Sequence, residues 1–194
     1  MKKIEIADII PFEKYLELRK EFQQRIIKIK KNRRIQVGEN ITFVFENRDT
    51  VLYQIQEMIR LEKMKDQKLI QAEIDVYNRL IPDKNEVTAT MLIEIMERQY
   101  IRPILDSLAD IHNNSIFFAF DQFSIPAEFD KESISHGRIS AVSFIKFKFN
   151  ENQLEKFLDK TIPSFININH TNYKASAEIN ESLRINLIED LLSE

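Results

Sequence analysis

Cysteine is absent from this 194-residue sequence. The chain can therefore form no disulfide, offers no thiolate nucleophile and cannot by itself hold an iron–sulfur cluster. Glycine is almost absent too, with Gly38 and Gly137 standing alone. Phosphate loops and dinucleotide-binding turns need clustered glycines so that backbone N–H groups can approach the phosphates, and neither can be built here in standard form. No G-x-S-x-G turn and no H-E-x-x-H helix occurs, so the usual serine-hydrolase and zinc-protease signatures are missing. The apolar runs are only a few residues long, too short to span a membrane. Lys2 and Lys3 are followed by Asp8 rather than a long apolar core, so no secretory signal is expected. These absences lead to the expectation of a cytoplasmic protein with no membrane contact and no cofactor bound through cysteine.

What the chain has is an ordinary globular composition, 43% hydrophobic and 30% charged. Its length suits a single compact domain over residues 1–194. The charge is uneven. Residues 1–65 carry 15 Lys/Arg against 10 Asp/Glu, a net +5, whereas residues 66–194 carry 13 against 21, a net −8. A basic N-terminal third favours an anionic ligand or an acidic partner, and the competing reading is a solvated charged helix face.

Periodicity organises the chain into two subregions. In residues 1–82, apolar positions Tyr15, Leu16, Leu18, Phe22, Ile26, Ile27 and Ile29 recur at helical spacing, predicting a helix to about Lys31. Arg34–Val37 and Ile41–Phe45 flank Gly38-Glu39-Asn40 and read as a hairpin over 34–46. Asn47 or Asp49 caps a second helix with Val51, Leu52, Ile55, Met58, Ile59 and Leu61 inward. A third helix covers about Gln67 to Leu80 and stops before Pro82. In residues 83–194, Val87–Ile95 (strand), Arg98–Ile111 (helix) and Ser115–Asp121 (strand) are followed by Ile139–Phe149 (strand), Gln153–Asp159 (helix) and Ser164–Asn169 (strand). Two βαβ units in tandem are the order of a ferredoxin-like split βαβ fold. The fold class expected is α+β, an N-terminal helix–hairpin–helix part packed on a ferredoxin-like sheet, antiparallel or mixed. Residues 122–138, with Pro126, Ser133, Ser135 and Gly137, read as a long binding loop or flap. Glu178–Leu192 reads as a final amphipathic helix.

Several polar groups are candidates for chemistry. The run KIKKNRR, Lys28–Arg34, is dense in cations. Arg33, Arg34 and Arg48 could converge with Asn47 at the start of the second helix, and Arg60 lies further along it. A helix N-terminus with guanidinium forks favours phosphate or carboxylate. The alternative is a structural network with Glu46, Asp49 or Glu57. Tyr53, Glu57 and Arg60 share a helix face, with Glu62 following. Glu57 is a candidate acid or base if partly buried, and an intrahelical ion pair is its structural alternative. Glu46, Glu57, Glu62, Glu94 and His170 form an oxygen-and-nitrogen donor set for a metal, although no Glu-x-x-His pair of the di-iron type occurs. His112, His136 and His170 lie far apart in sequence. His170, ending SFININ on the side of Ile166 and Ile168, could with Tyr173 bind substrate or move a proton at a pocket rim. Nucleic acid is disfavoured as a partner, because the chain is acidic overall and shows no aromatic stacking platform.

The strings KKNRRIQVGENITFVFENRDTVLYQIQEMIRLE, YNRLIP, ATMLIEI and INHTNY resemble an uncharacterised bacterial and archaeal family catalogued as domain of unknown function 3501. The likeness is densest over Lys30–Glu62. It takes in Arg33, Arg34, Gly38, Glu46, Asn47, Arg48, Thr50, Gln54, Glu57, Arg60, Glu62, Tyr77, Pro82, Glu94, His170 and Tyr173. The resemblance implies no activity or cofactor. It does imply a setting beside rubrerythrin-like and iron–sulfur oxidoreductase proteins, in which a cysteine-free chain would be an accessory rather than an electron carrier. The resulting expectation is a binding or accessory protein with an Arg/Glu-lined site, its ligand anionic or its partner a redox protein. The alternative is a small-molecule or metal-dependent enzyme using Glu57 and His170.

Overall fold

The computed structural model describes residues 1–130, 134–135 and 138–193. Pro11 caps α1 (Phe12–Lys31), which runs straight into the pair β1 (Arg34–Val37) and β2 (Ile41–Phe45). The reversal between the strands is made at Gly38, whose φ of +73° suits a residue without Cβ. Asn47 then starts α2 (Arg48–Leu61). Its side-chain oxygen accepts from the Thr50 N–H while the Thr50 hydroxyl accepts from the Asn47 N–H, satisfying donors at both positions. Asp66 caps α3 (Gln67–Tyr77), whose last turn tightens into a 3-10 turn at Asn78–Leu80 ahead of Pro82.

Beyond Pro82 come β3 (Glu86–Ile93), α4 (Arg98–Ser107), β4 (Ile116–Phe120), β5 (Phe123–Pro126) and β6 (Glu128–Phe129). They are followed by β7 (Ile134–Ser135), β8 (Arg138–Ile139), β9 (Val142–Lys148) and α5 (Glu151–Leu158). The chain finishes with β10 (Ser164–His170), β11 (Tyr173–Glu178) and α6 (Glu181–Leu192). The protein is thus a mixed α+β structure with two main antiparallel sheets. One has the strand order β1-β2-β3-β9-β6, the other β11-β10-β4-β5, and β7 and β8 form a separate short pair.

The sheets share a core. On the first, Phe43, Phe45, Val87, Met91 and Phe147 face it; on the second, Phe118, Phe120, Ile166 and Ile168 do, joined by Phe157 of α5 and by Leu183 and Leu187 of α6. Phe118 is the hub, with Phe45, Phe120, Phe147, Phe149 and Phe157 edge-on to it at centroid distances of 5.2–6.5 Å. A second core lies on the other face of the first sheet. It is formed by Val51, Ile55 and Ile59 of α2 with Ile74, Leu80 and Ile81, and Phe144 packs against it. Helix α1 packs on α2. Among the described residues no helix is long and apolar enough to cross a membrane.

The arrangement differs from the sequence expectation in particular ways. The four strands read as tandem βαβ units do not form one ferredoxin-like sheet. β3 pairs with β9 in the first sheet, and β4 with β10 in the second. The 34–46 hairpin is no appendage of a helical subregion, because β2 pairs with β3 and becomes part of the larger sheet. The segment expected as a loop over 122–138 contains β5 and β6, and β6 pairs with β9; its Ser133, His136 and Gly137 lie outside the described residues. β11 was not anticipated. Leu61, expected in the core, is 61% exposed.

Candidate functional site

The four predicted anion-binding arginines do not converge. Each is held by a carboxylate of the chain itself. Arg33 makes a two-pronged pair with Asp190 of α6 at 2.6 and 2.8 Å, with both side chains buried. Burial pushes the Asp190 carboxyl up, against the pull of the Arg33 guanidinium. Arg34 reaches Glu94 at 2.8 and 2.9 Å on an exposed part of the first sheet. Arg48 binds Asp8 at 2.7 Å and so ties the N-terminal segment to the start of α2. Arg60 turns back along its own helix to Glu57 at 3.0 Å. Asn47 is occupied in capping.

Glu57 is the centre of the tightest polar cluster. Tyr15 donates to its Oε1 at 2.7 Å, Arg19 binds both oxygens at 2.9 Å, and Arg60 approaches from its own helix. Burial acts to raise the carboxyl, but hydrogen bonds from Arg19, Arg60 and Tyr15, with the charge of Arg60, outweigh it and lower the pKa to about 2. The Tyr15 hydroxyl is pushed up by burial and by Glu57. A carboxylate this strongly held as an anion is a poor proton donor at neutral pH, and its contacts lock α1 to α2.

The other candidates sit elsewhere. Glu46 is buried and takes the Thr50 hydroxyl at 2.5 Å and the Thr90 hydroxyl at 2.6 Å, joining the start of α2 to β3. Glu62 is the C-cap of α2. Glu94 accepts from Thr42 at 2.6 Å, and this bond first and Arg34 next hold its carboxyl below the ordinary range despite burial. His170, at the end of β10, accepts at Nδ1 from the Asn172 N–H, so Nε2 carries the proton and donates to Asp110 at 2.7 Å. Tyr173 donates to the Val37 carbonyl at 2.8 Å and accepts from the Asn40 N–H at 3.1 Å, bolting β11 to the hairpin turn. Glu57 and His170 thus have separate partners in different sheets' surroundings. Among the described residues no group of three or more metal-ligating side chains comes together.

A cavity of ≈540 Å³ lies at none of these residues. It opens between the Asn78–Leu80 turn and the β9–β6 side of the first sheet. Leu80 and Phe144 supply apolar lining, Arg79 and Lys146 the cations, and Asp83, Glu128 and Asp130 the carboxylates. A ≈180 Å³ hollow continues from it past Arg79, Asp130 and Phe144 to Tyr77 and Glu73. Lys3 holds Asp83 at 2.8 Å and keeps its carboxyl below the ordinary range. Lys148 holds Glu128 at 3.2 Å. One sequence signal does point here. In 142–149, Ile145, Phe147 and Phe149 alternate with Lys146 and Lys148, and Phe144 breaks the rule by putting an aromatic on the polar face.

The architecture and the closed polar networks define an α+β protein without a recognisable catalytic constellation among the described residues. The chain belongs to the family described as Protein of unknown function (DUF3501), whose model matches residues 3–191. A crystal structure of a novel protein of unknown function from Burkholderia pseudomallei K96243 is similar at a TM-score of 0.91 and 29% identity, over 98% of this chain and 100% of that one. No curated protein matches.

Proposed function

We propose that this chain is a cytoplasmic binding or accessory protein whose ligand lies in the groove between the Asn78–Leu80 turn and the β9–β6 side of the first sheet. The observation that carries the reading is the ≈540 Å³ groove itself, an apolar lining of Leu80 and Phe144 rimmed by charges of both signs. Its volume falls within the roughly 300–1,000 Å³ of small-molecule sites, which combine apolar walls with a few polar anchors. Arg79 and Lys146, the latter 3.6 Å from Glu86, supply positive charge toward the carboxylate of a small molecule with an apolar body. Asp130 and Glu128, the latter bound by Lys148 at 3.2 Å, supply negative charge toward an ammonium group on the same molecule. The ligand class is therefore anionic or zwitterionic, and the anion site expected at Arg33, Arg34, Arg48 and Arg60 moves to Arg79 and Lys146. A redox protein as the partner served by this accessory rests on the family resemblance.

The test is a titration of ¹⁵N-labelled protein with a panel of free amino acids and short-chain carboxylates. Amide shifts clustering at residues 79–88, 128–130 and 144–146, and lost in Lys146→Glu, support the reading. Shifts confined to the surroundings of Arg33, Arg48 and Arg60, or none across the panel, overturn it.

A further inference from the structure

β11 is the longest edge strand among the described residues. It has six residues, against four in β1, four in β5 and two in β6. Strand edges are normally protected by brevity, charge, proline or bulges. β5 ends in Pro126, whereas β11 has neither proline nor a break in its pairing and carries charge of both signs, at Lys174 and Glu178.

Its backbone polarity is fixed by its one neighbour. The Ile179 N–H donates to the Ser164 carbonyl, and the pairing of β10 with β11 continues without interruption from Phe165↔Glu178 to His170↔Tyr173. In an antiparallel ladder residues alternate between bonding their neighbour and pointing away. Tyr173, Ala175 and Ala177 therefore bond β10, and Lys174, Ser176 and Glu178 direct N–H and C=O outward. Among the described residues no backbone hydrogen bond reaches those outward groups. The side chains of the same three residues are exposed, and among the described residues neither Lys174 nor Glu178 has an ion-pair partner.

The order Lys174–Ser176–Glu178 is self-complementary. When the strand meets a second copy of itself antiparallel about a two-fold axis at Ser176, Lys174 falls opposite Glu178 of the second copy at both ends. Ser176 then faces Ser176, and Ala175 faces Ala177. The three outward residues become the hydrogen-bonded pairs of the new ladder. Sliding the register by two residues either way leaves both ionic pairs unmade, and sliding by four sets like charges opposite each other, which is unfavourable. An isologous contact of this kind is the commonest route to a homodimer.

We infer that β11 is a homodimerisation edge, joining the four-stranded sheets of two copies into one continuous sheet through Ser176, with two Lys174–Glu178 pairs setting the register. A single strand pairing buries less than the roughly 1,200–2,000 Å² of a stable interface, so the dimer is concentration-dependent, with a dissociation constant on the order of 1–100 µM.

Sedimentation equilibrium over about 1–300 µM tests this range. The expected result is a mass rising from the 23.1 kDa of one chain towards twice that value. Lys174→Glu and Glu178→Lys, both at exposed positions, each weaken association about tenfold or more by placing like charges opposite each other. Mixed together, these two single variants form a heterodimer, because each supplies the charges the other lacks. A wild-type mass fixed at one chain overturns the inference. So does a dimer indifferent to both single reversals, or a mixture that associates no better than its components.

Discussion

Glu57 sits between two guanidinium groups and a phenol, and its carboxyl titrates at about 2 instead of the ordinary 4.5. A folded-state pKa below the unfolded one means that the ionised form is favoured by folding. The associated stability is complete above about pH 4.5 and is lost as the pH falls through 4.5 towards 2. Glu57→Gln should lower stability at pH 7 by about 1–2 kcal/mol and flatten the acid limb of the stability profile, as measured by urea unfolding at several pH values. Gly38 presents another local constraint. At φ +73°, a Cβ there would approach Tyr173 Cζ at 2.9 Å and Ala175 Cβ at 3.0 Å. Gly38→Ala is expected to cost about 1–3 kcal/mol in thermal or chemical unfolding. Tyr173→Phe, which removes one donor and one acceptor, should cost about 1–2 kcal/mol. That tyrosine was legible as important from its place after a strand, but its role was not. Its partners, Val37 and Asn40, lie more than 130 residues away.

α6 shows how a single pair positions a whole element. Arg33, at the junction of α1 and β1, grips Asp190 near the end of α6 with both side chains buried. Asp190→Ala leaves a buried guanidinium without its counter-charge and should destabilise the protein by about 3–5 kcal/mol. The double change Arg33→Met with Asp190→Leu should recover most of that loss, and chemical denaturation of the three variants checks both statements. Arg184 on the same helix donates to the carbonyls of Phe157, Asp159 and Ile162 at the end of α5 and lies over the Phe157 ring at 4.9 Å. α1, α2, β1, β2, β3 and β10 were all legible from periodicity and capping, because each has a well-marked apolar stripe or alternation. β11 was not. Its sequence YKASAE is rich in residues depleted from strands, and pairing with β10, not propensity, makes it one.

At the scale of the whole molecule, two cores lie on opposite faces of one sheet, the aromatic core around Phe118 and the aliphatic core beneath α2. Because β9 gives Ile145 and Phe147 to the first core and Phe144 to the second, the helical layer and the second sheet should unfold together. We expect one cooperative transition seen identically by far-UV circular dichroism and tyrosine fluorescence; two separated transitions would show that residues 1–194 are not a single domain. The groove lies between the Asn78–Leu80 turn and strands β3, β9 and β6 of the five-stranded sheet, lined by Thr88, Phe144, Lys146 and Glu128. By itself the sequence determined the α+β class, the positions of most helices and strands, and the lack of thiol chemistry and glycine-rich phosphate loops. These depend on residue type and on spacing within one element. Only the tertiary structure decided which strands share a sheet, that Arg33, Arg34, Arg48 and Arg60 each meet a carboxylate of the same chain, and that the open cavity lies at Arg79 and Lys146. Pairing partners far apart in sequence are selected by packing in three dimensions, and no local pattern of residues records that choice.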